Sequence, residues 1–357
     1  MTFLWPGFVV MMNITKNNGI DVYAMFYIII CVAFLIGIIS IPTILGQSDE
    51  INNNNNNISM KYHQKDTSFN IIDKYFNNNT LVHQKDCVNN ITLHYVIGGH
   101  GDPILLLHGW PETWYEWRHV IPTLIANNYT VIVPDMRGLG DSEKPQTGYD
   151  KKTIAEDVYQ LVKKLGFSKI YLVAHDWGGP VAYSYAAAHS QDVRKMIIVD
   201  VPLPGFGVEE SANFSPNGFW HLSFHAVRDL PEKLINGQED VYLNWFYDHY
   251  TYNQSAITSE DRQEYIKQYS KPGALRAGFE YYRAIFEDAQ NNKEYAKQKL
   301  DMPILTIGGE AGVGNLTTTS FQMVAKNVTG LTLPNTGHFI PEERPNFLTK
   351  QILEFFK

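Results

Sequence analysis

The chain has 357 residues, 44% of them hydrophobic and 18% charged, and a formal net charge of -8 at pH 7. This composition is that of a globular protein, and the length allows one large domain with an insertion or two domains. The acidic balance argues against a nucleic-acid partner. The two cysteines, Cys31 and Cys87, exclude a cysteine metal site, and a structural disulfide is not expected because Cys31 lies in an apolar segment.

The first predicted element is an apolar segment at residues 22–45, which follows an N-terminal tail of residues 1–21 and carries no charge. As a helix it reaches about 36 Å, more than the roughly 30 Å of a bilayer's hydrocarbon core. A cleaved signal peptide usually has a shorter apolar core, so we predict a single-pass membrane anchor, with secretion after signal cleavage as the alternative. Lys16 before the segment and Asp49 and Glu50 after it favour a cytoplasmic N-terminus.

Residues 46–66 are predicted to form a polar linker. Within it, Asn52 to Asn57 form an unbroken run of asparagine. Such a run cannot bury a core and is expected to be disordered. Order is therefore expected to begin just after the linker, near Phe69.

Glycosylation sequons of the type Asn-X-Ser/Thr follow the predicted anchor. Their number exceeds the roughly three expected by chance from this asparagine content. The sequons predict a glycoprotein whose catalytic part is lumenal or extracellular. They begin at Asn57, Asn78, Asn90, Asn128, Asn213, Asn253, Asn315 and Asn327.

From residue 67 to residue 205, predicted strands and helices alternate. Apolar, β-branched runs mark the strands, and apolar residues at helical spacing mark the helices. Such alternation predicts a largely parallel sheet with helices on both faces, which is an α/β fold. The strands are predicted at residues 91–97, 104–107, 130–133, 169–173 and 193–199, and the helices at residues 117–126, 154–165 and 180–188.

The alternation stops between residues 206 and 300, where helical patterns occur without convincing strands. The strand signal returns at residues 303–307, and the chain closes on a predicted helix at residues 347–356. We therefore predict a helical cap at residues 206–300, inserted into an α/β core whose two parts are residues 67–205 and 301–357. Insertions cluster where strands end at the active face of such sheets.

The most informative segment is Val173–Gly179, which reads Val-Ala-His-Asp-Trp-Gly-Gly. A predicted strand precedes it and a predicted helix follows it, which is the context of a nucleophile elbow. Asp176 stands where a hydrolase usually carries serine, so an acyl esterase is not expected. A carboxylate suits attack on an sp3 carbon such as that of an epoxide or an alkyl halide. The product is an alkyl ester of the enzyme, which water must then hydrolyse.

Three motifs, in the right order, resemble those of the α/β-hydrolase superfamily and most closely its epoxide hydrolase family. The resemblance extends from about residue 69 to the C-terminus. It favours the secreted bacterial epoxide hydrolases that use a His/Tyr pair, to which haloalkane and fluoroacetate dehalogenases are related. It implies an α/β-hydrolase fold with an inserted helical cap, and neither a cofactor nor a metal. The motifs are His108-Gly109-Trp110-Pro111, Asp135-Met136-Arg137-Gly138-Leu139-Gly140-Asp141-Ser142 and His175-Asp176-Trp177-Gly178-Gly179.

Asp176 is the expected nucleophile, and His338 is the expected general base. His338 lies between the last predicted strand and the last predicted helix, which agrees with the chain order of this fold. A neutral imidazole there takes a proton from water and directs the water at the Asp176 carbonyl. The backbone N–H groups of Trp110 and Trp177 are expected to form the oxyanion hole.

The orienting acid has two candidates. Many relatives place it after the strand that follows the cap, where the usual position falls on Ala311 and Glu310 is adjacent but offset. The other known position follows the strand that comes after the elbow helix. There Asp200 ends an apolar run, and burying a lone carboxylate costs free energy unless it has a partner. We predict Asp200, with Glu310 as the alternative, and expect it to fix the tautomer of His338 and stabilise its imidazolium.

The cap is expected to supply the proton donors for ring opening. Residues 279–283 resemble the family segment that donates a tyrosine hydroxyl, and the match falls on Tyr282. Residues 220–225 resemble the subgroup in which histidine replaces the second tyrosine, and this match falls on His221. Hydrogen bonds from both side chains would strengthen as the alkoxide develops.

Together these residues predict an epoxide hydrolase, which adds water to an epoxide to give a vicinal diol through an Asp176 ester. The expected partners are a small-molecule epoxide, water and, through the anchor, a membrane; no oligomeric state is indicated. One alternative is a haloalkane or haloacid dehalogenase, which uses the same Asp nucleophile and in which Trp177 would donate its indole N–H to halide. A fluoroacetate dehalogenase is not expected, because that family carries arginine at the Trp177 position. It also carries a tryptophan halide donor where this chain has Leu222. A second alternative is a non-catalytic binding protein on a hydrolase scaffold.

Overall fold

The computed structural model describes residues 4–5, 8–9, 81–212 and 218–357. Near the N-terminus, the strands Leu4–Trp5 and Phe8–Val9 pair antiparallel. The predicted anchor and linker, residues 22–66, lie outside the described residues. Within the described part of the chain, no helix is both long and apolar enough to span a membrane.

The folded part is built on an eight-stranded sheet. In chain order the strands are β1 (Val82–Val88), β2 (Ile91–Gly99), β3 (Asp102–Leu107), β4 (Tyr129–Pro134), β5 (Ile170–His175), β6 (Val193–Val199), β7 (Ile304–Gly309) and β8 (Val328–Leu333). Their order in the sheet is β1-β2-β4-β3-β5-β6-β7-β8. β2 is antiparallel to β1 and β4, whereas the pairs from β4 to β8 are parallel. The predicted, mostly parallel α/β fold is confirmed.

The central strands are buried along nearly their whole length, because helices connect them. β5 and β7 are buried at every residue, and such strands require cover on both faces of the sheet. The helices of the core are α1 (Ile121–Ala126), α2 (Lys151–Lys164) and α3 (Gly178–Ala188), and after β7 come α11 (Leu316–Val324), α12 (Ile340–Glu343) and α13 (Pro345–Phe356). Short 3-10 helices occupy Trp114–His119 and Ser190–Asp192.

The connection between β6 and β7 is helical in its described residues. Two of its helices meet at Ala284, where one ends and the next begins. The helices are α4 (Val208–Ser211), α5 (Trp220–Ala226), α6 (Leu230–Ile235), α7 (Glu239–Tyr250), α8 (Ser259–Tyr269), α9 (Ala274–Arg283) and α10 (Ile285–Tyr295).

The sequence analysis missed strand β1. Five of its seven residues are exposed, so this edge strand lacks the apolar alternation that predicts a strand. The signal that was available is the following turn, in which Asn89 and Asn90 both adopt positive φ, 44° and 62°. Two asparagines at positive φ are typical of a tight hairpin turn.

The sheet order brings three loops to one edge. β3, β5 and β6 are parallel neighbours, so their carboxyl ends lie side by side. The loops that follow these strands carry Trp110, Asp176 and Asp200. Such an edge is where open α/β sheets bind their ligands.

Candidate active site

Asp176 occupies a strained turn between β5 and α3. Its φ is 45°, a left-handed conformation that costs about 1–3 kcal/mol for a residue with a side chain and is concentrated at functional sites. The turn fits because its neighbours are glycine. A Cβ at Gly109 would lie 2.5 Å from the Cβ of Asp176, and a Cβ at Gly178 would lie 2.5 Å from the Leu107 carbonyl oxygen.

One oxygen of the Asp176 carboxylate is hydrogen-bonded, and the other faces His338. Its Oδ1 accepts a 2.8 Å hydrogen bond from the Trp110 N–H, and its Oδ2 lies 3.6 Å from His338 Nε2. Among the described residues, no hydrogen bond joins the Trp177 N–H to this carboxylate, so the second oxyanion donor stays a prediction. The arrangement leaves Oδ2 available for attack while Oδ1 is fixed.

His338 is hydrogen-bonded to Asp200 rather than to Glu310. The His338 Nδ1 lies 2.8 Å from Asp200 Oδ2, which leaves the lone pair on Nε2 facing Asp176 when Nδ1 carries the proton. The His338 backbone N–H donates to the carbonyl oxygen of Tyr250 over 2.7 Å. Glu310 is exposed, and its Oε2 accepts from the Asn335 N–H at 3.2 Å instead.

Asp200 is fully buried and yet well supplied with donors. Its Oδ1 accepts a 2.7 Å hydrogen bond from the Gly309 N–H, and both oxygens lie 3.2 Å from the Val313 N–H. Gly312 passes so close that a Cβ there would collide with this carboxylate. The loop after β7 therefore contributes backbone N–H groups to the Asp200 carboxylate.

His221 and Tyr282 face each other in the cap, with ring centroids 5.7 Å apart. Burial, with the charge of His338 acting in the same direction, lowers the pKa of His221 to about 3. His221 is therefore neutral at physiological pH and acts as an N–H donor or an acceptor. Burial and the nearby Asp176 raise the pKa of Tyr282, so its hydroxyl keeps its proton. Tyr250 Oη lies 3.4 Å from His221 Nδ1.

One cavity connects these groups. It receives Asp176, His338, Asp200, His221 and Tyr282, whereas Glu310 does not line it. Outside these five groups, the described residues that line it are mainly apolar and aromatic and include no lysine or arginine. The other lining residues include Trp110, Pro111, Trp177, Val201, Val208, Phe219, Leu222, Phe246, Val313 and Phe339.

Comparison with known proteins gives the family. The α/β-hydrolase fold family matches residues 102–345. The chain belongs to this family. A "Soluble epoxide hydrolase" of Corynebacterium sp. (strain C12) is 40% identical over 282 residues, which are 77% of this chain and 97% of that protein. A "Fluoroacetate dehalogenase" of Burkholderia sp. is 30% identical, over 75% of this chain and 91% of that protein.

Solved structures agree with this assignment to the α/β-hydrolases. The structure described as "Epoxide hydrolase CorEH without ligand" superposes with a TM-score of 0.73 at 40% identity, covering 78% of this chain and 99% of that one. The Cif epoxide hydrolase from Acinetobacter nosocomialis gives a TM-score of 0.75 at 26% identity, over 81% and 96% of the two chains. The resemblance inferred from the three motifs is confirmed.

Two groups of side chains among the described residues have the donor types that metals use, namely His94 with Asp135 and Asp141, and Glu112 with Glu116 and His175; all but the exposed Asp141 are buried. Both are already hydrogen-bonded within the protein. Asp135 Oδ2 lies 2.7 Å from His94 Nδ1 and 2.9 Å from the Asp141 N–H. Glu116 Oε2 accepts from the Gly109 N–H at 3.0 Å. These contacts brace the loops that carry the candidate site.

His175, which the sequence analysis named only as part of a motif, joins the second group to the candidate base. Its Nδ1 lies 3.2 Å from Glu116 Oε2, and its Nε2 lies 3.0 Å from the His338 carbonyl oxygen. Both neighbours are acceptors, so both ring nitrogens donate. Although burial opposes it, the charge of Glu116 raises the pKa of His175 well above its ordinary value. A buried imidazolium therefore anchors the His338 backbone.

Proposed function

We propose that this protein is an epoxide hydrolase. The observation that carries the proposal is the position of Tyr282 and His221, which line the same apolar cavity as Asp176 and His338. An epoxide needs a carboxylate on its carbon and a proton donor near its oxygen, and this cavity offers both. The 40% identity to a soluble epoxide hydrolase supports the same activity.

In the first step, Asp176 Oδ2 attacks an epoxide carbon, and the bond from that carbon to the ring oxygen breaks. The electron pair goes to the ring oxygen, which takes its proton from the Tyr282 hydroxyl. The neutral His221 stabilises the same oxygen by donating an N–H. The product is a hydroxyalkyl ester of Asp176, whose Oδ1 is held by the Trp110 N–H.

In the second step, His338 Nε2 takes a proton from water, and the hydroxide adds to the Asp176 carbonyl carbon. The Trp110 N–H, together with that of Trp177, stabilises the negative oxygen; each such donor is worth about 2.7–4 kcal/mol. The diol leaves, its oxygen is protonated by the His338 imidazolium, and one oxygen atom from water stays on Asp176. The remaining proton of that water passes from the Asp176 carboxylic acid through solvent to the Tyr282 oxygen, which restores both residues. Asp200 stabilises the imidazolium meanwhile.

A dehalogenase is the second candidate, and one observation favours it. The Nε1–H of Trp177 is buried without a hydrogen-bond acceptor among the described residues, and Trp177 lines the cavity beside Asp176. An unpaired buried donor costs about 1–3 kcal/mol, which a halide leaving group would recover. A protein named as a fluoroacetate dehalogenase is among the relatives, at 30% identity.

The deciding experiment compares aryl and alkyl epoxides with bromoalkanes of the same carbon skeleton. We expect diol formation at rates at least about 100-fold above halide release, because a bromide leaving group makes no use of the Tyr282 proton. A single turnover in heavy-oxygen water is expected to place the label on Asp176 and none in the first diol. Halide release as fast as diol formation would favour the dehalogenase, and binding of epoxides without any turnover would favour a non-catalytic binding protein.

We also propose that the segment at residues 22–45 anchors the protein in a membrane with the catalytic part on the lumenal or extracellular side. The asparagine side chains of the five described sequons, at Asn90, Asn128, Asn253, Asn315 and Asn327, belong to exposed residues, as glycan attachment requires. Treatment of the protein from a eukaryotic host with an endoglycosidase is expected to increase its gel mobility. Unchanged mobility would contradict the lumenal location. Carbonate extraction of membranes distinguishes an anchored protein, which stays with the membrane, from a secreted one.

A further inference from the structure

Lys151 is a buried cation that joins the core to the cap beside the site. It is the first residue of α2 and is fully buried. Its Nζ donates to Asp288 Oδ2 of α10 over 2.8 Å and to the Tyr281 carbonyl oxygen of α9 over 2.5 Å. Its backbone N–H donates to Asp288 Oδ1 over 2.7 Å. Burial lowers the pKa of Lys151, and the charge of Asp288 opposes that shift.

The same ammonium contacts the residue that follows the nucleophile. Lys151 Nζ lies 4.3 Å from the centroid of the Trp177 ring, which is cation–π distance. The Trp177 ring meets Tyr282 edge to face, with centroids 5.0 Å apart at 88°. The indole N–H of Trp177 partly offsets the rise in the Tyr282 pKa, although it has no hydrogen-bond partner among the described residues.

Stability alone gives a weak reason for this ion pair. A buried ion pair loses the hydration of both charges, and apolar residues of similar volume are often equally stable in its place. The Lys151–Asp288 pair instead contacts two groups close to the proposed reacting atoms. They are the peptide that joins Tyr281 to Tyr282 and the indole of Trp177. The Tyr281 carbonyl is also near the C-terminal end of α9, where helix carbonyls lack partners within the helix and favour a cation.

We propose that Lys151 is a positioning residue for ring opening, acting through Trp177 and the Tyr281–Tyr282 peptide on the Tyr282 hydroxyl. This inference rests on the proposed epoxide hydrolase function. The ammonium fixes the peptide that carries Tyr282 and polarises the indole, so that Trp177 Nε1–H becomes a stronger donor as charge develops on the Tyr282 oxygen. Its effect is confined to the step in which Tyr282 gives up its proton.

The test measures the two chemical steps separately, in single turnovers of the full chain with an excess of enzyme over an aryl epoxide. Lys151→Met/Asp288→Asn removes both charges together, and Asn keeps an oxygen for the Lys151 N–H site. The matched control is Arg137→Met/Asp157→Asn. That pair is also buried and also involves α2, with Arg137 Nη2 2.7 Å from Asp157 Oδ1. Unlike Lys151, Arg137 makes no cation–π contact with Trp177 in the described part of the chain.

We expect Lys151→Met/Asp288→Asn to slow ester formation about tenfold or more, a factor that corresponds to about 1.4 kcal/mol, with ester hydrolysis within about twofold of wild type. The control is expected to lower the melting temperature without changing ester formation. Trp177→Phe, which keeps the ring and removes the N–H, is expected to slow the same step. Adding it to the double variant should slow ester formation by less than the product of the two separate factors.

The possible failures are distinguishable. If wild type forms no ester with any epoxide, the proposed function is wrong and the role of Lys151 fails with it. If wild type forms the ester and the double variant forms it equally fast, or slows both steps equally, Lys151 is a structural residue only. If the double variant does not fold, Trp177→Phe still decides, because unchanged ester formation in that variant contradicts action through the indole.

Discussion

Replacement of Asp176 by Asn is expected to reduce epoxide turnover by at least about 10⁴-fold, because loss of a nucleophile removes the covalent route altogether. The substitution keeps the shape of the side chain, and the amide oxygen still accepts from the Trp110 N–H that now holds Oδ1 at 2.8 Å. Binding is therefore expected to remain while chemistry is lost. The measurement is diol formation together with intact-protein mass spectrometry, in which the ester adduct should disappear.

Two controls make the Asp176 result decisive. Asp192→Asn changes a partly exposed carboxylate, paired with Lys163 at 2.7 Å, and is expected to leave turnover within about twofold. An asparagine in a strained turn can deamidate and restore the acid, so recovered activity should rise together with the fraction of protein that is 1 Da heavier. Undiminished diol formation by a pure Asn protein would exclude the covalent mechanism.

The nucleophile elbow was predictable because its determinants are local. A strand, a tight turn between small residues and a helix occupy consecutive residues, and the acid at Asp176 is a departure visible in the sequence. The structure also explains why residue 109 is glycine. Gly109 is distant from Asp176 in the sequence, but a Cβ at Gly109 would occupy the space of the Asp176 side chain. Motif order then predicted His338, which lies between β8 and α12.

The orienting acid was harder to predict, because two loops meet at one histidine. The loops after β6 and β7 are adjacent at the same sheet edge, and either one is able to present an acid there. The deciding argument was burial: Asp200 ends an apolar strand, and Glu310 lies in a glycine-rich surface loop. The glycine-rich loop contributes to the site through its backbone, since the Gly309 N–H donates a hydrogen bond to Asp200.

Lys151 and its partners were not predictable from one sequence. Asp288 is 137 residues away from Lys151 along the chain, and no local pattern distinguishes a buried lysine at the start of an amphipathic helix from an exposed one. The same limit applies to the bond between His175 and the carbonyl oxygen of His338, 163 residues apart. Such pairs depend on how the cap and the loops dock, and the chemistry of each residue type alone does not specify that docking.

The second large effect is expected at Asp200. An Asn there still accepts from the Gly309 N–H through its oxygen, which turns its NH₂ group toward His338 Nδ1, 2.8 Å away in the native site. Nδ1 must then accept, so the proton moves to Nε2, and the nitrogen that faces Asp176 can no longer take a proton from water. A wrong tautomer of this kind costs about 10⁴-fold in serine proteases. We expect ester hydrolysis to fall by about 10³- to 10⁴-fold.

Ester formation should survive in Asp200→Asn, because attack by Asp176 does not use His338. The ester is therefore expected to accumulate and to be visible as a stable mass adduct after rapid mixing with an epoxide. Glu310→Gln is the matched control: it is exposed, it keeps an oxygen for the Asn335 N–H, and it should leave both steps within about twofold. Slow ester hydrolysis in Glu310→Gln with normal hydrolysis in Asp200→Asn would reverse the assignment of the acid, and slow hydrolysis in both would mean that the two carboxylates act on His338 together.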